Sequence, residues 1–312
     1  MWSSFAVALA GASHVRGSVP VQDDAAAGHL DDWAYAIVSD GHGSEKYFRS
    51  QIGAALAVET LKSAFEVFVE RSKNVNLNHF RNPWNEWVDR YVVAEWNRRV
   101  AEHLLGNLDW DSEPLFQRFA ATLEEAKLRE MRGEFRKFRA IARHIKVDQL
   151  LPDLISHSPL GYVQGYRKLH ASYGATLLGV LVGEKTVHSF QLGDGYIVYI
   201  PSSGEPELLQ HPPASAMANQ TPSLCSPDAV ESAAPATRQM RELGAPKAFL
   251  VTTDGVPNSY TDFSGFLKFC SDVSLDPDSP AKLPNWLEGI SQRGSGDDVS
   301  IGMLRQLEGC KT

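Results

Sequence analysis

Cysteine is scarce in this 312-residue chain: the three present, Cys225, Cys270 and Cys310, stand far apart, with no CxxC pair and no zinc-ligand spacing. That argues against a disulfide framework or a structural zinc site and makes a reducing cytoplasm the expected location. Long apolar runs are missing as well. None reaches the ~18–20 residues that a membrane-spanning helix needs, so an integral membrane protein is not expected. Positive charge is in deficit, with 30 Lys and Arg against 38 Asp and Glu and a net charge of −8, which argues against a nucleic-acid binder that works by neutralising phosphates. The signatures GxSxG, HExxH and GxxxxGK[ST] do not occur, leaving serine-hydrolase, zinc-protease and P-loop chemistry without support. There is no repeat of solenoid type.

What is present is an ordinary globular composition, 43% apolar and 22% charged, long enough for one large domain or two modest ones. The opening "MWSSFAVALAGAS" has the apolar centre and small residues of a secretory leader but no positive start, and is read as a first strand. Residues 1–40 hold two strand-like runs, around 4–12 and 33–39, separated by a polar loop. From Gly53 the period becomes helical, with Ala54, Ala57, Leu61, Ala64, Phe65 and Phe68 on one face. The next hundred residues read as helix. "PWNEWVDRYVVAEWNRRVAEHLL" starts with proline at a helix-opening position, and residues 127–146 carry eight Lys and Arg against two Glu, a local net of +6. Trp84, Trp87, Tyr91 and Trp96 fall at helical spacing, which suits a core face better than a partner-binding surface. From Tyr173 the pattern turns to strands, with tight turns at Gly183-Glu184-Lys185 and Gly193-Asp194-Gly195. Residues 201–237, rich in Pro, Ser and Ala, predict an irregular loop or flap. Strand connections this short across 175–200 predict antiparallel pairing, since parallel neighbours need a long crossover.

The chemistry gathers at the ends of apolar strands. Asp23 with Asp24, Asp40, Asp254, and Asp297 with Asp298 each flank a strand, and Asp194 occupies a Gly-Asp-Gly turn. Any single Asp-Gly is usually only a turn. Several aspartates converging without histidine or cysteine partners describe a hard-cation site suited to magnesium or manganese, and glycine beside the acids would let backbone carbonyls approach an ion.

Six motifs in order, "SHVRGSVPVQDD", "VSDGHGS", "GATLLGVLV", "FQLGDGYIVYI", "LVTTDGV" and "GDDVSIGML", with "ANQTPSL" between the fourth and fifth, resemble the metal-dependent protein phosphatases of the type-2C class, in particular their divergent bacterial branch. The resemblance spans nearly the whole chain. It implies an α+β fold, a four-layer α-β-β-α sandwich with two mainly antiparallel central sheets flanked by helices. The chain would then be a single phosphatase domain over 1–312. It implies that Asp40 bridges two Mn²⁺ or Mg²⁺ ions with the Gly41 carbonyl as a further ligand, that Asp254 and Asp297 hold the second ion, that Asp23 sits nearby through water, and that Asp194 serves a weaker third ion. His42 falls at the position of a candidate general acid, and Arg16 at that of the arginine gripping substrate phosphate, with His14 as its competitor.

The pattern departs from the family's in places. Gln22-Asp23-Asp24 leaves either acid able to face metal, with the spacing from Pro20 favouring Asp23. Gly195 replaces a serine, and Asp297-Asp298 leaves that ligand's identity open. The stretch between Asp40 and Gly174 is longer than the family's two-helix layer requires, which predicts a helical insertion at about 75–160. The implied activity is hydrolysis of phosphoserine and phosphothreonine in proteins by metal-activated water, with no covalent enzyme intermediate. A phosphoprotein substrate and a cognate Ser/Thr kinase are the implied partners, with neither nucleic acid nor membrane. A catalytically silent binding module in a signalling complex and a small-molecule phosphoesterase are the competing readings.

Overall fold

The computed structural model describes residues 1–73, 83–151, 163–211 and 221–307. Among the described residues, ten strands form two five-stranded sheets in which every pairing is antiparallel. One sheet runs β1 (Trp2–Leu9), β10 (Val299–Gln306), β9 (Ala248–Thr252), β6 (Tyr196–Ile200), β7 (Glu207–Gln210); the other runs β2 (Asp24–Leu30), β3 (Trp33–Ser39), β4 (Leu177–Val182), β5 (Thr186–Leu192), β8 (Ala236–Gln239). The period-2 geometry of a strand sends alternate side chains to opposite faces, and here both faces are buried. Ala34, Ala36 and Val38 point into the inter-sheet core with Val251 and Phe249 opposite, while Tyr35 and Ile37 point the other way, into a helical layer.

That layer is α2 (Ser50–Lys73) and the first turns of α3 (Val88–Gly106). Ala57, Leu61, Ala64, Phe65 and Phe68 of α2 pack with Trp96 and Val100 of α3 over the second sheet. On the far side of the sandwich, α8 (Phe263–Leu275) and α9 (Ser279–Arg293) cover the first sheet through Phe266, Cys270, Leu283 and Leu287. The result is the four-layer α-β-β-α sandwich that the sequence implies, a fold set by two amphipathic helical pairs closing two sheets that have no solvent-facing side of their own.

Several local expectations need correction. The polar loop expected between the first two strands contains a short helix, α1 (Ala12–Gly17), and the whole of β2, whose "DAAAGHL" has too little β-branched character to announce a strand. It is held by its ladder to β3, Asp24 opposite Ser39 through Leu30 opposite Trp33. The expected 201–237 loop holds β7, the short helix α7 (Ala229–Ser232) and the first residues of β8; residues 212–220 lie outside the described part. The helix expected to begin at Pro83 begins at Val88, after a run of turns. Trp84 and Trp96 are fully buried, their indole N–H groups donating to the carbonyls of Ser189 (2.8 Å) and Gly53 (3.0 Å), so this aromatic stripe is core.

The chain between the end of α3 and Tyr173 builds a separate small core. Phe116 of α4 (Pro114–Thr122), Met131, Phe135 and Phe138 of α5 (Glu125–Ala142), and Tyr166 and Leu169 of α6 (Val163–Ala171) enclose Trp110 with Phe48. A helical insertion was expected at about 75–160; within that range α3 packs mostly over the second sheet through Val88, Val92, Trp96 and Val100, and the second cluster begins near its end with Ala101 and Leu104. Residues 74–82 and 152–162 lie outside the described part. The basic stretch is the exposed face of α5, whose opposite face is buried.

Candidate metal centre

The acidic turns meet at one end of the sandwich. Asp40 leaves β3, yet it is not in a free turn: the β3–β4 ladder continues past both strand ends. The Thr176 N–H donates to the Asp40 carbonyl (2.8 Å), the Asp40 N–H to Thr176 Oγ1 (3.1 Å), and the His42 N–H to the Gly174 carbonyl (3.1 Å). Gly41 pairs with Ala175 as an isolated bridge. A Cβ on Gly41 would lie 2.4 Å from the Gln22 carbonyl oxygen, so glycine is required there by backbone approaching backbone. That is a different reason from the ion approach expected of the sequence.

Asp194 occupies the turn between β5 and β6, which belong to different sheets. The turn therefore carries the chain across the sandwich, and Gly193 takes φ +125°, a conformation open to glycine. Asp254 follows β9, and its Oδ2 accepts from Asn258 Nδ2 (2.9 Å). Carboxylate oxygens of Asp40, Asp194 and Asp254 all lie within 4.8 Å of one another, the one such group among the described residues. Burial, then the charges of Asp23, Asp254, Asp297 and Asp194, pushes the Asp40 carboxyl well above its ordinary value. Asp254 is pushed up to about 6 by burial, Asp194 and Asp297. Carboxylates pushed up by burial and by one another's charge fit a hard divalent cation, which relieves the repulsion and accepts all-oxygen donors.

The two ambiguous acidic pairs are separated by their partners. Asp23 is 7% exposed, and its Oδ2 accepts from Ser300 Oγ (2.7 Å) and Thr253 Oγ1 (2.9 Å) behind the cluster; burial and Asp298 push it up to about 8. Asp24, the next residue, falls on the α2 side of the sheet, where Glu59 acts on it. Asp298 is 4% exposed and fully engaged: Oδ1 accepts from the Gly11 N–H (2.6 Å) and faces His14 Nδ1 (2.7 Å), while Oδ2 accepts from the Gln22 N–H (2.7 Å). Asp297 is exposed, and its Oδ1 accepts only the Asp298 N–H (2.9 Å) among the described residues.

The remaining candidates separate as well. His14 is half-buried, its imidazole pKa raised by the bond to Asp298. Arg16 is exposed and lines a depression with Glu288 and Gln292, on the α9 side. His42 packs against Tyr47 with ring centroids 4.5 Å apart and the planes tilted by 50°, and burial lowers its pKa.

Sequence reasoning missed the hydroxyls that hold the acids, Thr176, Thr253, Ser300 and Thr221. Thr221 Oγ1 donates to Asp194 Oδ2 (2.8 Å). It lies in the "ANQTPSL" stretch, whose first three residues are outside the described part, and that stretch was the one signal available. Arg49 was also missed; nothing in its sequence context marks a buried cation.

A two-sheet sandwich with crowded carboxylates at one end defines a metal-dependent hydrolase scaffold. The protein phosphatase 2C family model matches residues 10–288, so the chain belongs to that family, the metal-dependent protein phosphatases. Among solved structures, a bacterial serine phosphatase superposes with TM-score 0.56 at 13% identity, covering 100% of both chains. The serine/threonine phosphatase Stp1 from Staphylococcus aureus gives 0.53 at 13% identity over 99% of this chain and 96% of that one. PppA, described as a key regulatory component of the type VI secretion system in Pseudomonas aeruginosa, gives 0.52 at 13% over 98% of each. At such identities the likeness is one of fold. No curated protein matches the sequence.

Proposed function

We propose that this chain hydrolyses phosphoserine and phosphothreonine in proteins, using two Mn²⁺ or Mg²⁺ ions at the acidic end of the sandwich. The observation that carries the reading is the meeting of Asp40, Asp194 and Asp254 from three separate connections within 4.8 Å. Bound divalent ions supply acidified water and neutralise phosphoryl oxygens. Asp40, with the Gly41 carbonyl beside it, would be shared by the two ions, Asp254 and the exposed Asp297 would hold the second, Asp23 would act through water, and Asp194 would serve a weaker third ion. Between the two phosphate-binding candidates, His14, tethered to Asp298 and with its pKa raised by that bond, is favoured over Arg16, which lines a depression with Glu288 and Gln292. His42, two residues from Asp40, donates the proton to the departing serine or threonine oxygen, a role worth ~10²–10⁴-fold. A Ser/Thr kinase in the cytoplasm is the proposed counterpart.

The test is phosphate release from a phosphothreonine peptide with Mn²⁺, Mg²⁺ or EDTA. Release with either metal and none in EDTA is expected. Metal binding without release from any ester would leave a silent binding module instead. Release from p-nitrophenyl phosphate but not from peptides would leave a small-molecule phosphoesterase.

A further inference from the structure

A groove of about 510 Å³ opens between the helical module and the chain that follows Asp40. Its volume lies within the ~300–1,000 Å³ range of ligand-binding clefts. Tyr47 and Cys225 form its near end. Both atoms that a Cβ on Gly174 would strike besides His42 belong to these two residues, Cys225 Sγ at 2.9 Å and Tyr47 Cδ1 at 3.0 Å, so the near end adjoins the His42 ring. Apolar side chains of the module, Phe119, Leu123 and Met131, line the far part. Phe119 and Leu123 are only half-buried, so apolar surface is offered to the groove.

The charge along this groove has one sign in excess. Lys46, Lys127 and Lys168 line it with Glu130 as the single acid, and all three lysines are exposed. Lys168 is paired with Glu134 at 2.6 Å. Lys46 and Lys127 form no ion pair among the described residues, Lys46 lying over the Tyr47 ring at 4.7 Å. Lys46 and Lys127 therefore give the groove a local positive excess in a chain whose net charge is −8.

We propose that this groove binds the polypeptide flanking the phosphorylated residue of the substrate, and that it selects a segment combining an apolar side chain with acidic neighbours. The proposal rests on the phosphatase reading for the identity of the occupant. The apolar anchor enters over Leu123 and Phe119, where desolvation supplies affinity, and the carboxylates lie toward Lys46 and Lys127, which set orientation and preference. The helical module thus acts as a substrate-selecting element built onto a generic hydrolytic centre.

Two phosphothreonine peptides test this, one flanked on both sides by leucine and aspartate, the other by serine and lysine. The KM of the acidic peptide is expected to be about tenfold lower. Lys127→Glu is expected to shrink that preference about fivefold, and Leu123→Ser to raise the KM of the acidic peptide while the ratio of kcat values holds. Equal KM values for the two peptides, or a preference that Lys127→Glu leaves intact, would overturn the proposal. Fluorescence anisotropy of the labelled acidic peptide in EDTA reads the groove without turnover. Binding weakened by Lys127→Glu in a chain that hydrolyses no phosphopeptide would uphold the groove and remove the phosphatase reading. Hydrolysis without Lys127-dependent binding would do the reverse. A dimer seen by sedimentation and dissociated by Leu123→Ser would mean that a second copy covers the apolar wall, which also overturns the proposal.

Discussion

Glu113, just ahead of α4, grips the fully buried Arg49 at the start of α2, with Nε of Arg49 donating to both carboxylate oxygens at 3.0 Å. Arg49 Nη1 also donates to the Tyr173 hydroxyl (2.6 Å) and Nη2 to the Asn107 carbonyl (2.9 Å). Since the Gly174 carbonyl, next to Tyr173, accepts from the His42 N–H, the helical module is tied to the backbone that carries the acidic turn. Removing one partner of a buried ion pair costs ~3–5 kcal/mol. Glu113 is 30% exposed, so water replaces part of its role, and Glu113→Ala is expected to cost ~2–3 kcal/mol. Urea unfolding should show a lower midpoint. The double variant Arg49→Met/Glu113→Leu should lose less than Glu113→Ala, because it leaves no stranded charge; an equal or larger loss would mean that the pair is not the source of the effect.

The crowding of carboxylates predicts opposite effects of one substitution in two conditions. Asp40→Asn replaces a carboxyl whose ionisation is opposed by burial and by Asp23, Asp254, Asp297 and Asp194, so the melting temperature in EDTA should rise. The gain on adding Mn²⁺, which for a bound ligand at a hundred times its Kd is ~2.7 kcal/mol, should disappear together with phosphate release. Asp194→Ala should lower the Mn²⁺ stoichiometry by one and slow turnover without abolishing it. A full Mn²⁺ response in Asp40→Asn, read by differential scanning fluorimetry, would remove the bridging role.

For His42 the discriminating measurement is leaving-group sensitivity. Proton donation matters for an alkoxide and hardly at all for p-nitrophenolate. His42→Ala is expected to lower kcat on a phosphothreonine peptide by ~10²-fold and to leave p-nitrophenyl phosphate hydrolysis within a few-fold. Equal losses on both would assign His42 to packing against Tyr47.

Two histidines, the buried His188 and the half-buried His170, set an acid limit on stability. Burial lowers the His170 imidazole to about 4 and that of His188 to about 3. His170 Nε2 sits 2.5 Å from Asn97 Oδ1, and His188 lies 3.0 Å from Thr237 Oγ1. Below the ordinary histidine value of ~6.5 the unfolded chain takes up protons that the folded chain refuses. Stability is therefore complete above that pH and falls as pH descends from there, each histidine removing up to ~1.4 kcal/mol per unit. Thermal melts from pH 7.5 to 5 with Mn²⁺ saturating, so that the acidic cluster stays ionised, should show this decline, and His188→Leu should flatten it. An unchanged slope in that variant would rule out His188 as a contributor.

The primary structure was sufficient for many of the individual strands and helices and for the antiparallel turns, because that information is local, whereas the layer architecture rested on the resemblance of six ordered motifs to a known family. The apolar strand of Ala36 to Val38, the face of α2 from Ala54 to Phe68 and the short turns after Val182 and Leu192 are patterns that a strand or helix imposes on its own residues. Asp40, Asp194 and Asp254 were legible for the same reason: each ends an apolar run beside a glycine. What only the tertiary structure decided depends on partners distant in the chain. Asp298 is bound by Gly11, His14 and Gln22 and Asp23 by Thr253 and Ser300, whereas Asp297 is left exposed; two adjacent aspartates look alike until their neighbours across the sandwich are known. β2 carries no strand signal and exists because β3 offers it a ladder. Arg49 is buried because Glu113, Tyr173 and Asn107 come to it from the module and the sheet. Periodicity is written residue by residue, but compensation of charge and of unpaired backbone is settled only when remote segments close on one another.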